Sequence, residues 1–190
     1  MGSAARQVLA FFAITGVAIA VVDACSRTAI FPMFDYPGGA VLIYGLSMTL
    51  VWLVRHVVPF ALPPGYYRLL PFEIDGCVYR RAGVVRFKWL LFKSRIELLN
   101  FSARLAHGKT GLLGLERGIR EAETDHAIAL AVMVAISTYT IMNAWWPLTG
   151  WLLLTNVVAN VYPIMLQRFN RARLLPVLEA LAGRDCREAH

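Results

Sequence analysis

Several polar residues at the end of a long apolar stretch are the side chains of this sequence that could form a binding or catalytic site. Residues 155–174 read TNVVANVYPIMLQRFNRARL. A helix turns about 100° per residue, so one side of this helix would carry four polar residues: Asn160, Gln167, Asn170 and Arg171. Hydrocarbon offers such groups no hydrogen-bond partner, so they must face a protein interior or a polar ligand. The pattern predicts a helix that lines a binding site.

The alternative is that the basic residues only anchor the end of a membrane helix. In that case Arg168 and Arg173 would extend toward lipid phosphates. This interpretation suits the two arginines but explains Asn160 and Gln167 poorly, because an anchor needs no amide groups. The role of Arg168 therefore stays open, since it could be a membrane anchor or a substrate-binding residue.

A second candidate group lies where a basic segment enters an apolar one, in the sequence Glu123-Thr124-Asp125-His126. Glu123 and His126 are three residues apart and share a helix face. A carboxylate that accepts a hydrogen bond from one imidazole nitrogen fixes the tautomer and leaves the other nitrogen as a base. We therefore expect His126 and Glu123 to be catalytic. The alternative is that both are interfacial polar residues that cap a membrane helix.

Metal binding is a further use of the Glu-x-x-His spacing, since di-iron helical bundles contain it as a half-site. Such a site needs a second copy of the motif and more carboxylates, and the sequence supplies neither. His56 and His107 have no acidic partner at a metal-like spacing. We therefore expect no metal site and no resident cofactor.

The composition predicts an all-α integral membrane protein that forms one domain over residues 1–190. Hydrophobic residues make up 58% of the chain and charged residues 16%. Four apolar spans are long enough to cross a bilayer of about 30 Å. They cover about residues 8–22, 40–62, 127–142 and 145–166. A secretory signal is the alternative for the first span, although Asp23 fits a signal badly.

The distribution of basic residues predicts the orientation. Of the 19 Lys and Arg residues, 17 lie on the side that holds both termini and the long segment 63–125. The positive-inside rule makes that side cytoplasmic, which predicts a multi-pass protein of a bacterial inner membrane. The net charge of +7 then reflects orientation and attraction to anionic lipids or substrates, and it needs no nucleic-acid partner.

The long segment between the second and third spans contains two recognisable patterns. Residues 79–92 mix basic, apolar and aromatic residues, which is typical of an amphipathic helix in the plane of the lipid headgroups. Residues 108–118 are rich in glycine and predict a mobile loop. Gly108-Lys109-Thr110 resembles the end of a phosphate-binding loop, but the required upstream glycine is missing.

The two candidate groups should lie at one membrane depth, because the third span begins and the fourth span ends on the cytoplasmic side. Such a combination suits acyl transfer to an alcohol. The histidine would take the hydroxyl proton, and amide and guanidinium donors would stabilise the oxyanion or hold an anionic acyl carrier. The same groups could also bind a phosphorylated lipid without any reaction.

Both groups also form sequence signatures. The first is Ala-Glu-x-x-His, at Ala122, Glu123 and His126. The second is Asn-(x6)-Gln-Arg-(Tyr/Phe)-Asn-Arg-x-Arg-Leu, at Asn160, Gln167, Arg168, Phe169, Asn170, Arg171, Arg173 and Leu174. A weaker stretch comprises Phe72-Glu73, Gly76, Tyr79 and residues 83–88. Over about residues 70–175 the chain resembles the glycosyl-4,4'-diaponeurosporenoate acyltransferases, small membrane enzymes of bacterial carotenoid tailoring. It departs from them at Ala127, where the family often has Trp.

The resemblance implies transfer of a fatty acyl group to the sugar of a glycosylated carotenoid acid or a similar glycolipid. Acyl-CoA or an acyl-carrier protein would be the co-substrate, and membrane lipids and the acceptor would be the partners. The expected substrate-binding residues are Asn160, Gln167, Arg168, Asn170 and Arg171. A cleft that reaches Glu123 and His126 would favour an enzyme.

Two alternatives to the acyltransferase remain open. The chain could be a non-catalytic membrane subunit, or a lipid-binding scaffold that partners other membrane subunits, with the polar cluster as a headgroup site or a helix contact. Side chains bonded wholly to one another would favour such a scaffold. The other alternative is a different lipid-modifying reaction that uses His126.

Overall fold

The described part of the protein, residues 2–28, 37–58, 60–93 and 109–188 of a computed structural model, is helical and contains no strand. Its seven α-helices are α1 (Ser3–Ser26), α2 (Pro37–Val57), α3 (Cys77–Arg81), α4 (Val84–Lys93), α5 (Lys109–Met142), α6 (Trp146–Asn156) and α7 (Tyr162–Glu188). Short 3-10 turns occupy Pro64–Tyr67 and Pro71–Glu73, and a π-helical segment, Val157–Val161, joins α6 to α7.

Four helical stretches are long and apolar enough to cross a membrane, which confirms the predicted fold class. They are Ser3–Ser26, Pro37–Val57, Gly111–Met142 and Trp146–Leu181. The third and fourth are joined by a tight turn, in which Ala144 adopts a positive φ of 57° and the Asn143 side chain donates to the Tyr139 carbonyl. The orientation of these helices and the interfacial position of α4 stay predictions.

The prediction of a mobile loop over residues 108–118 is wrong for the residues that the structure describes. Gly108 lies outside the described residues, and α5 begins at the next residue, Lys109. Glycines cost a helix about 1 kcal/mol each relative to alanine. Burial of Ile119 and the ion pair of Glu116 with Arg120, one helical turn apart, offset part of that cost.

The first of two compact units comprises Met1–Ala61 and Thr124–Val161. Its core is built from apolar side chains of four helices: Ile14, Ala18, Val22, Ala40, Ile43, Val51, Ile128, Val132, Met133, Ile136, Leu148 and Leu152. Several buried hydroxyl groups bond inside the unit, whereas the hydroxyl of Thr15 has no hydrogen-bond partner among the described residues. Ser47 donates to the Ile43 carbonyl at 2.8 Å, and Thr149 donates to the Thr140 hydroxyl at 2.8 Å. This satisfies polar groups that lipid could not.

The second unit comprises Leu62–Glu123 and Tyr162–His190. Tyr79, Val84, Leu166 and Phe169 form its apolar core. The connections before α3 and α4 depend on glycines in the left-handed region, Gly76 with φ 66° and Gly83 with φ 80°. These turns direct α3 and α4 against α7.

The two glycines predict different costs for the same substitution. Gly76→Ala places a Cβ at 3.0 Å from the Phe169 ring in addition to the left-handed backbone, whereas Gly83→Ala meets no atom within 4 Å. The backbone strain costs roughly 1–2 kcal/mol in both variants. We expect Gly76→Ala to lower the thermal unfolding midpoint in detergent further than Gly83→Ala does. Equal midpoints for the two variants would contradict the close packing of Gly76 on Phe169.

Candidate functional site

The π-helical segment Val157–Val161 carries the first cluster of polar side chains, in the first unit. A π-helical turn holds an extra residue and is frequent at functional sites. It also means that 100° per residue does not apply between Asn160 and Gln167. Asn160 is fully buried, and its Oδ1 lies 3.3 Å from Nδ1 of His126. The histidine therefore has a fixed amide partner on the segment between α6 and α7.

A chain of amides fixes which imidazole nitrogen holds the proton. Asn156 Nδ2 donates to the Leu130 carbonyl at 3.4 Å, which directs Asn156 Oδ1 to accept from Asn160 Nδ2 at 2.7 Å. The Oδ1 of Asn160 then faces His126, and an amide oxygen can only accept. Nδ1 of His126 therefore donates, and Nε2 keeps the lone pair that a general base requires.

Glu123 belongs to a second cluster, in the second unit. Its fully buried carboxylate accepts from Nη1 of Arg168 at 3.1 Å and from Nη1 of Arg171 at 3.3 Å. The hydrogen bond expected between Glu123 and His126 is not formed between these two described side chains. The reason is that guanidinium donors carry full charge and bind a carboxylate more strongly than a neutral imidazole does.

Arg168 connects most groups of the second cluster. Its Nε and Nη2 donate to the two carboxylate oxygens of Glu73 at 2.8 and 2.7 Å. Nη1 donates to Glu123 and to the Tyr66 carbonyl at 3.0 Å, and Nη2 also donates to the Arg68 carbonyl at 3.1 Å. The side chain is 13% exposed. The anchor interpretation of Arg168 is therefore wrong, because two carboxylates hold its guanidinium inside the protein.

Glu73 and Tyr79 are the members of this cluster that sequence reasoning missed as site residues. Burial raises the pKa of Glu73, but hydrogen bonds from Arg168, from the Leu70 amide and from the Tyr79 hydroxyl outweigh it and lower the pKa to about 2. Burial and the bond to Glu73 raise the pKa of Tyr79. A buried arginine needs a carboxylate, so the requirement for a counter-ion of Arg168 was the available signal.

Arg171 is more deeply buried than Arg168 but has fewer partners. Its side chain is 3% exposed, and besides the bond to Glu123 its Nε lies 3.6 Å from Glu116. That separation exceeds a hydrogen bond, and Nε has no hydrogen-bond partner within the described part of the chain. The guanidinium also lies 5.7 Å from the centre of the Tyr67 ring. The N–H of Arg171 Nε is thus a buried donor that no acceptor of the described residues uses.

The remaining candidates take different positions. Gln167 is buried, Asn170 is half-buried, and Arg173 is exposed beside the Phe169 ring. His56 is exposed and contacts the Trp52 carbonyl through Nδ1, while His107 lies outside the described residues. Within the described ranges, no three His, Cys, Asp or Glu residues group as metal ligands would.

The comparisons with known proteins place these clusters in a family. A family model described as glycosyl-4,4'-diaponeurosporenoate acyltransferase matches residues 63–180, which is more than half of the 190 residues. The matched range contains both clusters, including Glu73. No match was found among curated proteins, and none was found among solved structures.

The hydrogen bonds of Arg168 predict that its substitution destabilises the protein far more than substitution of Arg173, which lies on the same helix. Arg168→Gln would leave Glu73 without its principal counter-ion inside the protein, which typically costs about 3–5 kcal/mol. Arg173→Gln removes an exposed charge and should change stability by less than about 0.5 kcal/mol. Thermal unfolding of both variants in detergent measures the difference. Similar midpoints for the two would show that Arg168 does not hold the cluster together.

The lowered pKa of Glu73 predicts a pH window for stability. The folded state keeps this carboxyl ionised down to a pKa of about 2, whereas its ordinary value is 4.5. Its stabilising contribution is therefore complete above the ordinary value and is lost as pH falls toward the folded value. Unfolding midpoints measured from pH 5 to pH 2 should fall more steeply for the wild type than for Glu73→Gln. Parallel curves would argue against this role of Glu73.

Proposed function

The chain belongs to the glycosyl-4,4'-diaponeurosporenoate acyltransferase family, and we propose from this that it transfers a fatty acyl group within a membrane. The family implies an acyltransferase of carotenoid biosynthesis. The proposed acceptor is a hydroxyl group of a glycolipid-like molecule, such as a glycosylated carotenoid acid. The proposed donor is a thioester, either acyl-CoA or an acyl-carrier protein.

The buried amide chain that ends at His126 is the observation that carries the proposal. It leaves Nε2 as the acceptor nitrogen, so His126 can take the proton of the acceptor hydroxyl. The hydroxyl oxygen then attacks the thioester carbonyl carbon and forms a tetrahedral intermediate. The carbon–sulfur bond breaks as the ester forms, and the departing sulfur takes the proton from the imidazolium. The histidine returns to its starting state.

The second cluster has a separate role in this proposal. Glu123 carries buried negative charge that holds Arg168 and Arg171, so its contribution is electrostatic positioning and not proton transfer. Of the five residues expected to bind substrate, Gln167, Asn170 and Arg171 remain in that proposed role. Arg168 instead positions the cluster, because protein acceptors use its donors, and Asn160 positions His126.

The proposed location is a bacterial inner membrane with both termini in the cytoplasm. The four apolar helices support a membrane protein. The placement of 17 of 19 basic residues on one side supports the orientation. A cytoplasmic segment 63–125 would meet a soluble acyl donor on the side where such donors are made.

A non-catalytic, lipid-binding scaffold is the second candidate, and one observation favours it. Arg168 is bonded entirely to protein groups, through Glu73, Glu123 and two backbone carbonyls. A cluster closed on itself is what a structural subunit requires. The histidine distinguishes the two candidates, because a scaffold does not need the lone pair of Nε2.

The proposal predicts that His126→Ala removes most product formation from a protein that still folds. Loss of a general base typically lowers the rate by about 10²- to 10⁴-fold. His56→Ala is the matched control, because His56 is an exposed histidine on α2. Acylated lipid per amount of membrane-inserted protein, measured by mass spectrometry of lipid extracts, gives the comparison. Unchanged product in His126→Ala would eliminate the base role and favour the scaffold.

A further inference from the structure

A cavity of about 430 Å³ lies within the second unit, beside the Arg168 network. Its polar lining includes Arg68, Arg120, Arg171 and Glu179, and Leu69 and Ile74 belong to its apolar lining. The volume falls in the range of about 300–1,000 Å³ that is usual for small-molecule sites. The proton transfer proposed for His126 does not involve this cavity, although Arg171, a proposed substrate-binding residue, lines it.

Arg171 points to what the cavity binds. A guanidinium has five N–H donors, and Arg171 donates one described hydrogen bond, to Glu123, while its buried Nε has no hydrogen-bond partner. Arg168, three residues earlier, uses its donors on protein oxygens. Leaving a buried donor unbonded is costly. An acceptor oxygen of a ligand in the cavity would satisfy the N–H of Nε.

The charges around the cavity set the character of that ligand. Arg120 and Arg171 lie 5.4 and 5.7 Å from the Tyr67 ring centre, and both pair with the single carboxylate of Glu116. The network of Arg120, Arg168 and Arg171 with Glu73, Glu116 and Glu123 is formally neutral. Recognition therefore rests on directed N–H donors, for which a phosphate is the best-matched acceptor. Glu179 in the lining repels the negative charge of a phosphate, so its carboxylate weakens binding.

We propose that this cavity binds the phosphate of an amphiphile, with Arg68, Arg120 and Arg171 on the phosphate oxygens and the attached chain against Leu69 and Ile74. Two sources share this chemistry, a phospholipid headgroup and the phosphate of an acyl-CoA donor. The second source rests on the proposed function, whereas the first does not.

Binding to the full-length protein in a maltoside detergent tests the proposal. The probes are phosphatidic acid and palmitoyl-CoA, and diacylglycerol is the phosphate-free control. Arg68→Gln and Arg120→Gln should each weaken binding of the recognised phosphate probe about 10-fold, which is typical for loss of one charged hydrogen bond. Glu179→Gln should tighten it. Arg68 joins the Arg168 network through its backbone carbonyl, so Arg68→Gln leaves that network intact.

Arg173→Gln is the matched control, because Arg173 is exposed on the same helix and does not line the cavity. Its affinity should equal that of the wild type. Binding of phosphatidic acid alone would identify a lipid headgroup site, and binding of palmitoyl-CoA alone would identify a donor site. Equal affinity for diacylglycerol and phosphatidic acid without binding of palmitoyl-CoA would overturn the proposal. Wild-type affinity for the phosphate probe in both Arg68→Gln and Arg120→Gln would also overturn the proposal.

The His126→Ala variant separates this inference from the proposed function. Its affinity for the phosphate probe should equal that of the wild type, because His126 does not line the cavity. Phosphate-dependent binding together with unchanged product in this variant would reject the base role and leave the cavity inference standing. Loss of product in His126→Ala, together with no phosphate-dependent binding by any of the proteins, would support the base role and reject the cavity inference.

Discussion

Two buried carboxylates held by one guanidinium are the constraint on which the second unit depends. Glu73 lies on a short 3-10 turn, Glu123 on α5 and Arg168 on α7, and their bonds join three segments that are distant in sequence. A buried carboxylate without a counter-ion costs several kcal/mol. The turn before α3, the middle of α5 and the first turns of α7 are therefore determined together. The backbone carbonyls of Arg68 and Tyr66 accept further hydrogen bonds from the same guanidinium.

Three arginines within six residues of α7 perform three different tasks because the helix turns them into different surroundings. Arg168 faces Glu73 and is saturated, Arg171 is more buried yet under-bonded, and Arg173 is exposed. Equal charge does not mean equal function, since each role depends on how many acceptors the surrounding helices supply. Of the two arginines held inside the protein, Arg171 is the one whose Nε has no hydrogen-bond partner among the described residues.

Neutral amides, and not a carboxylate, orient the histidine in the first unit. Asn156, at the end of α6, accepts a hydrogen bond from Asn160 in the π-helical segment, and the side-chain oxygen of Asn160 then faces His126. The donor to the Leu130 carbonyl sets the orientation of Asn156 and so of the whole series. In an apolar interior this arrangement fixes the tautomer without burying a second charge, which would itself need a partner. The cluster of Arg168 and Arg171 with Glu73 and Glu123 lies in the second unit, where guanidinium and carboxylate groups compensate one another.

Sequence alone determined the helical membrane fold, the family and the residues worth attention, because hydropathy, span length and motif spacing are local properties of the chain. It placed His126, Glu123, Gln167 and Arg171 among the candidates. Tertiary structure alone decided their partners. Glu123 bonds to arginines from α7, His126 bonds to Asn160, and Glu73 becomes the main partner of Arg168. Pairings across 34 to 95 positions follow from how helices pack and which donors compete for each oxygen, and no spacing rule within one helix contains that information.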